Sequence, residues 1–297
     1  MKKINPIELF LWTFRRKEKD IINLYDSLSD LMRLATGGDM LNFGYWDDKT
    51  NNPIEAQKKM CTIFGKKALL ESNQHIVDVG SGIGSPSIQW SLDYSPVKLS
   101  CININYTQLL SSIINVNKSV AANNTQNFNF INATATTLPF ENESVDRVLA
   151  LESAQHFKPL KNFISESFRI LRKNGILAMA IPVMAENHTS PIMKLGTLSL
   201  TWSSEHYSKE FVESNLKQEG FSNIDLQKIG SNVYAPLANF YIENRNSIKN
   251  KILQYYPAYV EKILFKSLNK MKEVSEKKII DYILITCIKK RITVFNP

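Results

Sequence analysis

The sequence predicts an α/β protein built on a doubly wound, seven-stranded mixed sheet, with helices before the sheet and a helical insertion near its end. Three observations predict it. Short apolar runs alternate with stretches of helical spacing from His75 onward, which is the signature of βαβ units. No strand pattern occurs before His75. The first apolar run ends in a glycine-rich break, Gly80-Ser81-Gly82-Ile83-Gly84, that opens a helix. With 297 residues, 43% of them hydrophobic, the chain has room for one large domain with embellishments, or two small ones.

Each element follows from its local pattern. IINLYDSLSDLMRL (21–34) places apolar residues at helical spacing, and Gly37-Gly38 stops it. IEAQKKMCTIFGKKALL is a second amphipathic helix, opening after Pro53. HIVDV (75–79) is the first buried strand, followed by the glycine turn and a helix to about Tyr94. VKLSCINI (97–104), FNFI (128–131), VDRVLALE (145–152) and GILAMAIPV (175–183) read as strands two to five. Helices are expected at YTQLLSSIINVNKSVAAN and at LKNFISESFRILRK. SKEFVESNLKQEGF is a helix ending at Gly220, SNIDLQKI a sixth strand, and KIIDYILITCIKK contains a seventh. Residues 231–278 are too many for a plain loop, and NSIKNKILQYYPAYVEKILFKSLNKM reads as two helical pieces split at Pro257. The expected organisation is an N-terminal helical segment over 1–72, a core over 73–230 and 279–297, and an inserted helical cap over 231–278.

Composition narrows the function classes. No apolar run is long enough to span a membrane, and the N-terminus lacks a signal-peptide cleavage pattern. Cys61, Cys101 and Cys287 are odd in number and far apart, with no metal-ligand spacing, so no metal is expected and a reducing cytoplasm suits them. The net charge of +8 would fit an anionic partner, but the lysines are scattered and read as a solvated surface.

A strand that ends in glycines and opens a helix lets a nucleotide approach the backbone and the helix N-terminus. The spacing here is G-x-G-x-G, where a dinucleotide site wants G-x-G-x-x-G. Asn103 stands where that site wants an acid at the end of the second strand, and no Gly-Lys-Ser/Thr follows for a phosphate loop. His156 and Glu152 fall just after strand four, at the strand ends where open α/β sheets bind ligands. A histidine there would serve as a general base, or be a structural side chain bonded to backbone.

The ordered motifs resemble the class I S-adenosylmethionine-dependent methyltransferases, Rossmann-like enzymes. D-V-G-S-G-I-G (78–84), C-I-N-I-N-Y-T-Q (101–108), A-T-A-T-T-L-P-F (133–140), S-V-D-R-V-L-A-L-E-S-A-Q-H-F (144–157) and F-R-I-L-R-K-N-G-I-L (168–177) occur in the family's order. Y-D (25–26) and L-N-F-G-Y-W (41–46) are similar to the N-terminal lid segments of the sterol, tocopherol, ubiquinone-type and cyclopropane-type branch. The resemblance implies S-adenosyl-L-methionine as cofactor. Asp78, Gly80, Ser81, Gly82 and Gly84 would hold its amino-acid part and Asn103 its ribose. Ile104 would pack on adenine, with Thr134 and Ala135 beside the base; Leu151 is a further cofactor-binding candidate, and Gln108 would reach the cofactor or be solvated. Thr134 and Asn103 replace the family's usual acids. Tyr25, Asn42, Tyr45 and Trp46 would form a lid, or pack the N-terminal helices. Trp202, Tyr207, Tyr234 and Phe240 are candidate acceptor-lining residues. The implied activity is methyl transfer to a small organic, isoprenoid or lipid-like acceptor. The strand-four loop has no Asn/Asp-Pro-Pro-aromatic motif, which counts against a nucleobase. The aromatic cap suggests a greasy substrate, peripheral contact with a membrane surface, or plain helix packing, and the protein would be a monomer or a homodimer.

Overall fold

The computed structural model describes residues 17–184, 195, 198 and 205–290. Trp202 and His188 lie outside the described residues. Seven strands form one mixed sheet: β1 (His75–Val79), β2 (Lys98–Asn103), β3 (Phe128–Asn132), β4 (Val145–Leu151), β5 (Leu171–Met184), β6 (Phe221–Lys228) and β7 (Ile280–Lys289). Their order is β3-β2-β1-β4-β5-β7-β6, and β3, β2, β1, β4 and β5 are mutually parallel. The chain therefore leaves β1 toward one edge and resumes on its other side at β4. That reversal opens a crevice at the carboxyl ends of β1 and β4.

Burial explains why the strands read as they do. Ile76, Val77, Leu99, Val148, Leu149 and Ala178 are fully buried, so the central strands appear as apolar runs without alternation. β6 is an edge strand, and its residues alternate between buried or half-buried and exposed, which gives it the polar sequence FSNIDLQK.

The helices are α1 (Glu18–Thr36), α2 (Pro53–Lys67), α3 (Ser85–Asp93), α4 (Tyr106–Ser119), α5 (Ala122–Thr125), α6 (Leu160–Ile170), α7 (Lys209–Glu219), α8 (Tyr234–Glu243), α9 (Arg245–Leu253) and α10 (Ala258–Glu276). α6 buries Leu160, Phe163, Ile164, Ser167 and Ile170, one face of a 3.6-residue period. α1 ends at Gly37, whose left-handed φ of 73° lets its N–H reach the Arg33 carbonyl at 2.7 Å.

Three boundaries differ from the expectation. The helix expected over 160–173 stops at Ile170, and Leu171, Arg172 and Lys173 are already strand. While β4 advances from Val145 to Arg147, β5 advances from Leu171 to Ile176, and the surplus forms a bulge with Asn174 at φ 64°. The helix expected to run to Asn123 ends at Ser119, because Val120 is extended, and α5 is separate. The cap holds three helices: α8, whose YAPLANFYIE is apolar nearly all round, joins the two pieces that Pro257 divides.

The described residues fall into two compact units. A helical unit draws on Met1–Cys61, Pro182–Lys209 and Lys228–Ile283, and a sheet unit on Thr62–Ile181, Glu210–Gln227 and Leu284–Pro297. In the helical unit, Leu24, Leu31, Ala35, Tyr241, Ile248, Ile252, Tyr256, Val260 and Leu264 form one buried cluster. The apolar face of α10 is thus accounted for by packing. Arg245 lies against the fully buried Glu261 at 2.8 Å and stacks on the Phe265 ring. Cys61, Cys101 and Cys287 are free thiols, all buried. No described helix is long and apolar enough to cross a membrane, and no described His/Cys/Asp/Glu group could hold a metal.

Candidate active site

The glycine turn sits at the carboxyl end of β1, inside the sheet unit. The N–H groups of Gly80 and Ser81 both donate to the Ile102 carbonyl, at 2.8 and 3.0 Å, which ties the turn to β2. All three glycines have positive φ, yet each is required for a different reason. A Cβ on Gly80 would lie 2.3 Å from the Ser153 Cβ, and one on Gly84 would lie 2.1 Å from the Ser112 Oγ. A Cβ on Gly82 would meet nothing within 4 Å. Gly80 and Gly84 therefore let the loop after β4 and helix α4 pack tightly, while Gly82 presents bare backbone to open space. Ser81 is buried, and its Oγ has no hydrogen-bond partner among the described residues. An orphaned hydroxyl beside an open glycine fits a polar ligand seated on the turn.

Asp78 is buried one residue before the turn's last strand position. Ser87 Oγ donates to its Oδ2 at 2.6 Å, yet burial pushes its carboxyl up to about 6. The Asn103 side chain makes three hydrogen bonds. Its Nδ2 donates to the Gly82 carbonyl at 3.1 Å and to Gln108 Oε1 at 3.0 Å, and its Oδ1 accepts from the Asn105 N–H at 3.1 Å. A carboxylate in this place could not donate to Gly82, so the amide closes the glycine turn, and Oδ1 keeps one lone pair for a ligand hydroxyl. Asn132 Nδ2 holds the carbonyls of Asn103 and Ile104 at 2.8 and 3.0 Å. Thr134 Oγ1 lies 3.0 Å from Thr136 Oγ1, and Ala135 and Leu151 are buried.

After β4 the chain enters a strained corner. Glu152 has φ 54°, a left-handed conformation that is uncommon for a residue with a side chain. Its N–H donates to the Ala180 carbonyl at 2.8 Å. Ser153 Oγ donates to the Val79 carbonyl at 2.6 Å, which brings the corner against β1. A short 3-10 turn, Ala154–His156, then carries His156.

Sequence reasoning missed Ser153, Asn105, Asn132 and Gln155. Asn105 was within reach: an Asn ahead of an apolar helical pattern is an N-cap signal, and its Oδ1 accepts the Gln108 N–H at 3.0 Å. The other three are recognisable only by partners distant in sequence or by geometry.

The remaining candidates lie in the helical unit. Trp46 is buried: its backbone N–H donates to the Asn232 carbonyl at 2.7 Å, and its ring lies 5.8 Å from that of Phe240. Asn42 is buried, and Gln57 Nε2 holds its carbonyl and that of Met40, each at 2.9 Å. Tyr45 N–H donates to the Ala56 carbonyl at 2.8 Å, and Tyr25 is half-buried on α1. Tyr234 is fully buried, with its hydroxyl donating to the Asp281 carbonyl at 3.1 Å, whereas Tyr207 and Phe240 stay partly exposed. Two of the lid and acceptor candidates, Trp46 and Phe240, are thus brought together.

Residues 77–179, which span the glycine turn, Asn103 and the Glu152–His156 corner, match the model of a methyltransferase domain. The chain carries a methyltransferase domain over this span. The chain is similar along most of its length to two curated proteins. It is 24% identical over 265 residues to the erythromycin 3''-O-methyltransferase of Saccharopolyspora erythraea, covering 86% of each chain. It is 24% identical over 269 residues to the 27-O-demethylrifamycin SV methyltransferase of Amycolatopsis mediterranei, covering 88% of this chain and 94% of that one. Among solved structures, the fold is that of the cyclopropane synthase MmaA2 from Mycobacterium tuberculosis, with a TM-score of 0.80, 17% identity, and coverage of 93% and 99%.

Proposed function

We propose that this methyltransferase transfers a methyl group to a hydroxyl of a small, largely apolar organic acceptor. Two relatives that match most of the chain are named for O-methylation of erythromycin and for methylation of 27-O-demethylrifamycin SV. The observation that carries the site is the glycine turn, where bare backbone at Gly82 and the orphaned Ser81 hydroxyl await a polar ligand.

Asp78, Gly80, Ser81, Gly82 and Gly84 would hold the amino-acid part of the cofactor, and Asn103 and Gln108 the ribose. Ile104, Thr134, Ala135 and Leu151 would border the adenine. When bound, the cofactor supplies a methyl group on a sulfonium sulfur. Held there, it would offer that methyl group to the acceptor oxygen and would retain the carbon–sulfur electron pair on its sulfur. The chain's own task is to hold the acceptor in line, exclude water and take up the hydroxyl proton. His156 is the assigned base, because a neutral imidazole accepts a proton near neutral pH, and Glu152 shapes the corner that carries it. Acceptor recognition is assigned to Phe240 and Tyr207, which keep exposed surface. The three buried cysteines, none of them in a disulfide, support residence in a reducing cytoplasm.

Calorimetric titration with S-adenosylmethionine, S-adenosylhomocysteine and NAD tests the cofactor site: the first two should bind with micromolar affinity and NAD should not. Incubation with labelled S-adenosylmethionine and a panel of macrolide and other hydroxylated acceptors tests the acceptor class. Label appearing only on amines or on carbon would overturn it.

A further inference from the structure

Gln155 lies between the strained backbone of Glu152 and the ring of His156, and it is 5% exposed. Its Nε2 donates to the Glu152 carbonyl at 2.6 Å. That contact settles which end of the amide is nitrogen, since an amide oxygen so close to a carbonyl oxygen would be repelled. The same Nε2 stands 3.3 Å from His156 Nε2. An amide nitrogen has two hydrogens and accepts nothing. One hydrogen is directed to Glu152, and the other meets His156 Nε2. The contact is attractive only if that ring nitrogen carries a lone pair; a protonated Nε2 would set N–H against N–H.

We infer that Gln155 is a positioning residue that fixes His156 as the tautomer with its proton on Nδ1, leaving Nε2 as the basic nitrogen. Histidine in water prefers the opposite tautomer, so the setting is imposed by the fold. It deepens the proposed function and rests, for its catalytic meaning, on His156 being the base. At 3.3 Å the amide contact is long for a hydrogen bond, so an acceptor hydroxyl can displace it. The hydroxyl proton then passes to Nε2, and His156 ends with a hydrogen on each ring nitrogen while the oxygen takes the methyl group.

The test reads the proton directly. Nitrogen-15 correlation spectra of the full chain, with His156→Ala to assign the signals, distinguish protonated from bare ring nitrogens. In the unmodified protein His156 Nε2 should resonate as a bare nitrogen and Nδ1 as a protonated one. Gln155→Leu should shift the ring toward the Nε2-protonated form, and Gln155→Glu should place the proton on Nε2 outright. Turnover in Gln155→Leu should fall about tenfold, part of the 10²–10⁴ that a positioned base contributes, with cofactor affinity unchanged. Nε2 protonated in the unmodified protein, or the same tautomer in all three proteins, would overturn the inference. The expected spectra with undiminished turnover in both variants would leave the tautomer assignment standing and remove His156 as the base.

Discussion

At the scale of residues, three glycines visible together in the sequence do three different things. Gly80→Ala and Gly84→Ala drive a Cβ into Ser153 and Ser112. Each should destabilise the fold by about 2 kcal/mol or more, as overpacking does. Gly82→Ala meets no atom, so only its left-handed φ of 57° counts against it, about 1 kcal/mol. Its affinity for S-adenosylmethionine should nevertheless drop at least tenfold. Urea denaturation and calorimetry on the three variants separate the two effects, and unchanged affinity in Gly82→Ala would move the cofactor elsewhere. The glycines were legible because nothing but a special turn explains their spacing. Their division of labour was not, because Ser153 and Ser112 come from elsewhere in the chain. Asp78 shows the same limit. Its carboxyl, ordinarily near 3.8, is raised to about 6 by burial. Folding therefore favours the protonated form: that stabilisation is fully present below about pH 4 and is lost as pH rises through 6. Asp78→Asn, neutral throughout, should match the unmodified protein at pH 4. At pH 7 it should be more stable by up to about 3 kcal/mol, following the raised pKa. Urea denaturation at the two pH values checks this, and equal stability at pH 7 would contradict it.

At the scale of elements, periodicity located the strands and helices, and failures occurred where two signals overlapped. Leu171, Arg172 and Lys173 continue the helical pattern of α6, but all three are strand: Leu171 pairs with Val145 of β4, and Arg172 and Lys173 lie in the bulge that follows. Gly175 marks that bulge: a Cβ there would lie 2.9 Å from the Arg172 carbonyl oxygen. The missed helix α8 is nearly uniformly apolar, so it has no polar face to announce its period. Between α9 and α10, Arg245 neutralises the buried carboxylate of Glu261. Arg245→Ala should cost about 3 kcal/mol by stranding that charge, and adding Glu261→Gln should recover much of it. Thermal denaturation of the single and double variants decides this; equal losses in both would mean that the pair contributes packing and not charge.

At the scale of the whole molecule, alternation of runs announced a doubly wound sheet, while the placement of β7 between β5 and β6 had no sequence signal, because strand order depends on long-range pairing. The charge of +8 was legible as a number but not as a surface patch. If it is a solvated surface, RNA and DNA should bind only weakly and release by physiological salt. Tight binding that survives it, followed by filter retention, would revive a nucleic-acid substrate.

The buried thiols have a practical consequence. Burial pushes Cys101 up to about 12 and raises Cys287 as well, and Cys61 is fully enclosed. The native chain should be silent to aqueous disulfide reagents and release three equivalents of thiol only on unfolding, one for each cysteine. A single cysteine introduced on an exposed turn would then take a fluorophore or spin probe with no background. The motions of this enzyme during turnover could be followed without first stripping it of its own sulfur.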